Sequence, residues 1–315
     1  MLQDKIIIVN YYIKKQKLLW KNIGGSVIII KKVYPEKLML SLILAILCSS
    51  LISIIMRLSS DKVKGRLVML ASNYAVCSLC GAIYTGFDII PAAEGIGKVA
   101  GLGIINGILY LVSFLLLQLN TAKHGIVLSS IFMKLGLLVP IVLSVLFFNE
   151  LPSAIQAAGF VIAVAAIILI NIKKGSSIKN FGISLILLLL FGGSADAMSK
   201  VYEYTGPASL TNQFLFYTFA TALIICVTLV IIRKERPAIK DILFGCVIGI
   251  PNFFSSKFLI SALTAIPAVV TYPTFSVATI LLVTLVGIMA FKEKLTKIQW
   301  LALSLIIISL VLLNI

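Results

Sequence analysis

From Leu38 onward, apolar tracts of 18 to 24 residues alternate with short breaks of Gly, Pro, Asn or charge. A helix rises about 1.5 Å per residue, so about 20 apolar residues cross a hydrocarbon core of roughly 30 Å. In hydrocarbon such tracts are helices, because only a helix satisfies its backbone groups from within the tract. Ten spans are predicted: Leu38–Met56, Leu67–Tyr84, Val99–Leu119, Gly125–Phe147, Ala154–Ile172, Phe181–Met198, Ser209–Ile232, Ile242–Leu263, Ala268–Phe291 and Ile298–Ile315. The expected fold class is an all-α integral membrane protein.

The pattern repeats. Phe148, Glu150, Ile155, Gln156 and Asn171 return as Phe291, Glu293, Ile298, Gln299 and Asn314 at a constant offset of 143 residues. Ser41-Leu42-Ile43-Leu44 returns as Ser184-Leu185-Ile186-Leu187 at the same offset, which sets Arg57 opposite Lys200. Gly103 and Asn106 match Gly249 and Asn252 at an offset of 146. Three segments follow: a basic leader over 1–37, a first five-helix repeat over 38–172 and a second over 173–315. Five is odd, so the second unit enters the membrane from the opposite side, giving a 5+5 inverted-topology repeat.

Charge agrees with the inversion. The turn Asn149-Glu150-Leu151-Pro152 has no Lys, whereas its copy carries Lys292, Lys294 and Lys297. Odd-numbered connections hold 15 Lys and Arg and even-numbered ones two. The positive-inside rule then puts both termini outside, while the eight Lys of residues 1–37 argue for both inside. The abrupt change at Leu38 leaves two readings of the leader: an interfacial or disordered arm, or a mis-called start. The net charge of +16 sits between apolar tracts as a topology signal, and nucleic-acid binding is discarded. With 60% hydrophobic residues and a mean hydropathy of +1.13, the lipid bilayer is the expected solvent.

The five Cys all lie within apolar tracts and there is one His, which supports neither a disulfide framework nor a metal site. Cys77 and Cys80 form a CxxC inside a predicted span and read as small packing residues. No cofactor is expected.

The two copies of a small-residue helix leading to an aromatic-x-Glu turn and then Ile-Gln carry a resemblance. They run from Pro140 to Gln156, and from Pro267-Ala268 through Tyr272-Pro273 to Lys292-Glu293 and Gln299. In these the chain resembles the drug/metabolite transporter superfamily, specifically its ten-span EamA-like members. The resemblance covers Leu38 to Ile315 and implies a secondary transporter of small metabolites. It implies alternating access around a cavity between two five-helix units, in the plasma membrane, the inner membrane of a prokaryote.

A charge at the centre of a span costs at least about 2.5 to 3.5 kcal/mol, so each is a functional candidate. Lys134 lies nine residues past Gly125, about 13 Å into its span. It reads as a substrate-binding cation or as a structural Lys neutralised by carbonyls. Lys257, near the end of its span, reads as a second cavity cation or a snorkelling one. Together they would favour an anionic substrate. Asp196 and Lys200, at i and i+4, are expected to pair, either structurally or with Asp196 carrying a coupling proton. Asn106 and Asn252 bond between helices or face substrate, and Tyr110 lies one turn beyond Asn106. Tyr272-Pro273 is expected to interrupt its helix and expose carbonyls at the site. Glu150 and Glu293 are expected to cap the helices that follow them.

A membrane-embedded lipid-modifying enzyme is the alternative. It would need paired carboxylates, a nucleophile dyad or metal ligands, and the lone His124 lies in a short loop. No GxxxxGK[ST] occurs, so ATP is not the expected energy source.

Overall fold

The computed structural model describes residues 36–59, 62–124, 126–171, 182–292 and 296–315. The leader expected over 1–37 and Glu293 therefore lie almost wholly outside the described residues. Among these, the chain folds into α1 (Glu36–Ser59), α2 (Arg66–Tyr84), α3 (Ile96–His124), α4 (Ile126–Leu135), α5 (Leu138–Phe147), α6 (Ala154–Asn171), α7 (Ile183–Thr205), α8 (Thr211–Ile232), α9 (Ile239–Leu263), α10 (Ala268–Phe291) and α11 (Lys297–Leu313). A single 3-10 turn, Ala208–Leu210, leads into α8. Seven of these helices, α1, α2, α3, α7, α8 with its leading turn, α9 and α10, are long and apolar enough to cross a membrane. The segment Phe132–Phe147, α6 and α11 are shorter and equally apolar.

The expected fourth span is not one helix. It breaks at Gly136-Leu137, between α4 and α5. Pro140 has no N–H to donate to the carbonyl of Gly136, four residues back, and that carbonyl accepts instead from Val139 N–H at 2.9 Å. Gly136 N–H in turn reaches only Met133 O, at 3.2 Å, in a tightened last turn. The break is pressed against α7, where a Cβ on Gly136 would stand 3.0 Å from the backbone nitrogen of Gly193. By contrast α10 runs unbroken through Pro273, so the interruption expected at Tyr272-Pro273 does not occur. Pro273 is the sixth residue of α10 and gives up one internal hydrogen bond without ending the helix.

Small residues bring the helices close, as expected where lipid is as apolar as the side chains and packing must drive association. Gly245 and Gly249 of α9 sit against the α2 backbone at Met69 and Asn73, and Gly103 and Gly107 of α3 sit against α8 at Phe214 and Thr218. Further pairs are α1 with α9 and α10, α7 with α3, α4 and α5, α6 with α11, and α2 with α8. One buried cluster joins α2, α3, α8 and α9 around Tyr74, Phe214, Phe219 and Phe253. A second joins α1, α6, α10 and α11 around Ile167, Val277 and Ile306.

Hydrogen bonds tie the connections into two ends. At one end Asn212 donates to Tyr84 O at 3.1 Å, and Lys98 donates to Thr205 O at 3.0 Å. At the other, the Lys64 and Gly65 N–H groups donate to buried Asp241 at 3.1 and 3.0 Å, and Asn120 donates to Ser184 O at 2.8 Å. The basic connections around Lys62, Lys64 and Arg66 and around Arg233, Lys234 and Arg236 belong to this second end.

Candidate substrate cavity

At the middle of the helix assembly lies a cavity of about 180 Å³. Lys134, one turn before the α4 break, and Asp196 of α7 both line it, with Tyr110 of α3, Asn252, Ser255 and Ser256 of α9, Ser49 of α1 and Ser276 of α10. The α4–α5 break also reaches the wall through Met133 and Leu137. Asn252 donates to Asn73 Oδ1 of α2 at 3.2 Å, Ser256 to Asn252 O at 3.2 Å and Ser255 to Ala45 O at 3.2 Å. Those polar groups are thereby held in place. Lys134 and Asp196 stand apart from this web, because the ion pairs among the described residues are those of Lys200.

The structure brings four of the sequence candidates, Lys134, Asp196, Tyr110 and Asn252, to one cavity and places the others elsewhere. Lys257 is half-buried on a different side of α9, its Nζ 3.3 Å from the centre of the Tyr84 ring and 5.9 Å from that of Phe253. One residue past Ser256 is a rotation of about 100°, enough to turn it off the cavity wall and onto an aromatic face that attracts a cation. Asn106 is buried between α3 and α8, with Nδ2 3.5 Å from Thr218 Oγ1, so its interhelical reading is the one the geometry matches. Tyr272 is buried behind the wall, and its hydroxyl donates to the backbone oxygen of Asp196 at 2.8 Å.

The expected Asp196–Lys200 pair is absent. Lys200 is bonded instead to Glu150 at 2.7 Å and to Glu203 at 2.9 Å, with the Phe148 ring 5.8 Å away. Two carboxylates outcompete one, and Asp196 is left to the cavity a full turn deeper. Nor does Glu150 cap the helix that follows it. Its second oxygen accepts from the N–H of Ala268 at 2.6 Å, at the first turn of α10. The start of α6 is capped by Ser153, which accepts from Gln156 N–H at 3.2 Å while Gln156 Oε1 accepts from Ser153 N–H at 3.1 Å. Thr296 and Gln299 form the same reciprocal box at α11. The repeated Ile-Gln of the sequence is thus a pair of capping boxes. Cys77, buried, donates to Gly249 O at 3.2 Å, and both CxxC thiols are free.

The cavity serines, Phe275 and the partner Asn73 escaped the sequence reading. A Ser in an apolar tract bonds its own helix as readily as a ligand, and only the α9 spacing of Asn252, Ser255 and Ser256 marks a polar stripe.

Residues 180–315 match the EamA-like transporter family. The match covers the second half of the chain and is a similarity to EamA-like transporters. It is 25% identical, over 277 residues, to a Haemophilus influenzae protein described only as uncharacterized, covering 84% of this chain and 93% of that one. A crystal structure of another protein superposes with a TM-score of 0.68 at 15% identity, over 88% of this chain and 96% of that chain, a likeness of fold alone. The similarity to this family agrees with the apolar helices in pointing to a multi-pass membrane protein.

Proposed function

We propose that this EamA-like protein is a secondary transporter that moves small polar or anionic metabolites by alternating access between two inverted five-span units. The observation that carries the reading is the central cavity, walled by helices of both halves and holding a lysine and a carboxylate where burial of charge is most costly.

Ten spans follow if the α4–α5 segment counts as one broken span and α6 and α11 as short ones. The packing supports the two-fold relation. Exchanging the halves turns α1 against α9 into α7 against α3, α2 against α9 into α8 against α3, and α1 against α10 into α7 against α4 and α5. The pairs α2 with α8 and α6 with α11 map onto themselves. The basic end then faces the cytosol of a plasma membrane, by the positive-inside rule. A proton carried by Asp196 or an exchanged solute supplies the energy.

Uptake into proteoliposomes loaded with metabolite pools tests the reading. Lys134→Ala should abolish flux while the protein still inserts and stays monodisperse. Wild-type flux in that variant, or no flux of any solute in the wild type, refutes it.

A further inference from the structure

Alternating access requires each end of the cavity to open in turn. Resting on that reading, we infer that α5 is the gate arm at the end where Lys98 meets Thr205, hinged at Gly136-Leu137 and clasped shut by Glu150. The bonds that span the break between α4 and α5 are of the short three-residue kind. Gly136 N–H donates to Met133 O at 3.2 Å, Leu137 N–H to Lys134 O at 3.4 Å and Val139 N–H to Gly136 O at 2.9 Å. Such bonds are poorer than the α-helical ladder and often mark a hinge. Leu137 lines the cavity, so the break sits at cavity depth. From there α5, ten residues and about 15 Å long, runs to the closed end. It packs mainly on α7 and α10, whereas α4 packs on α3, α6 and α7. Val142, Leu146 and Phe147 on its outer side are exposed, so α5 can swing as a unit while α4 stays in place.

The clasp is an independent observation at the other end of the arm. Just past α5, Glu150 reaches two further elements at once, Lys200 of α7 at 2.7 Å and the Ala268 N–H of α10 at 2.6 Å. Phe148 lies against Tyr204 of α7, with ring centres 4.6 Å apart. These contacts fasten the free end of α5 to both helices that it packs on. Lys200 is one turn beyond the cavity residue Asp196, so the clasp closes the path from the cavity to this end. Glu203 is what makes the clasp releasable. When Glu150 lets go, the ammonium keeps Glu203 at 2.9 Å and is not stranded, and Glu150, the most exposed of the three at 17%, moves toward water. Opening then breaks one charge-assisted contact instead of leaving a bare charge buried, the far costlier event.

The test is amide hydrogen exchange, read by mass spectrometry, on the purified full chain in lipid nanodiscs with no solute added. Exchange reports local opening, so it follows the arm whether or not anything is transported. Glu150→Gln should speed exchange in α5 by about tenfold, the factor between a charged and a neutral acceptor on an ammonium, and leave α4 and α6 unchanged. Glu203→Gln removes the other partner of the same lysine and should act in the opposite direction. Opening would then leave Lys200 bare, so α5 exchange should slow by a similar factor. Two acids that merely brace the fold would instead give faster exchange in both variants. Unchanged α5 exchange in Glu150→Gln, a gain spread equally over α4 and α6, or faster α5 exchange in Glu203→Gln overturns the inference. Should Glu150→Gln fail to insert, the direction in Glu203→Gln decides alone. The expected exchange pattern without flux of any solute in proteoliposomes would refute transport and leave the clasp standing, whereas flux without that pattern would do the opposite.

Discussion

Replacing Lys200 by Met keeps most of the side-chain volume and deletes the charge that Glu150 and Glu203 share. Lys200 is 6% exposed in its side chain, with Glu150 and Glu203 at 17% and 12%, so solvent screens this cluster little. Without the ammonium, two carboxylates face each other with only the first turn of α10 to offset them, through the Ala268 N–H that Glu150 holds. Removing one partner of a buried ion pair costs about 3–5 kcal/mol, against about 0–1 for an exposed one. Lys200→Met should therefore destabilise by about 3 kcal/mol or more, the lower bound reflecting the help of the helix end. Glu150→Gln should cost less, about 1–2 kcal/mol, since Glu203 still neutralises Lys200 and the amide oxygen can still accept from Ala268. The double variant should recover part of the Lys200→Met loss, with a coupling of about 1–2 kcal/mol. Equilibrium unfolding in mixed detergent micelles, followed by circular dichroism, measures all three. A Lys200→Met cost below about 1 kcal/mol, or strict additivity in the double variant, would show that the cluster behaves as an exposed pair and refute the reasoning.

Other expectations separate the roles of neighbouring residues. Lys257→Gln should leave the Kd of a cavity ligand unchanged, because that ammonium sits on the Tyr84 ring; a tenfold weakening measured by calorimetry would return it to the site. Gly249→Val should cost about 1–3 kcal/mol or more, because its Cβ would stand 2.6 Å from the Cβ of Val76 and 2.8 Å from Asn73 O. Gly101→Ala meets nothing within 4 Å and should raise stability by roughly 0.5–1 kcal/mol, both being readable as shifts in Tm. Gln156→Ala should remove half of the α6 capping box and lower stability by about 1 kcal/mol in the same unfolding assay, whereas Ile155→Ala, half of whose surface is already exposed, should cost less.

Much of the helix plan was legible in the chain. Nine of the ten expected tracts appear as single helices at nearly the expected places, because the length of an apolar run is set by the bilayer and read directly from composition. The tenth failed where Gly136 and Pro140 meet. Proline alone was an insufficient signal, since Pro251 and Pro273 lie within continuous helices. What distinguishes Gly136 is the α7 backbone at Gly193 pressed against it, a contact between residues far apart in sequence.

The amino-acid sequence by itself determined that this is a helical membrane protein, that its basic connections gather at one end, and that a lysine lies deep in an apolar tract. Length, hydropathy and charge act locally, so they survive reading in one dimension. The tertiary structure alone decided the partners. Whether Lys200 met Asp196 or Glu150 and Glu203, and whether Glu150 served its own helix or α10, depended on which helices came within a few ångströms of each other. A charge in a low-dielectric interior takes whatever opposite charge packing brings near, and sequence spacing along one helix is a poor guide to that.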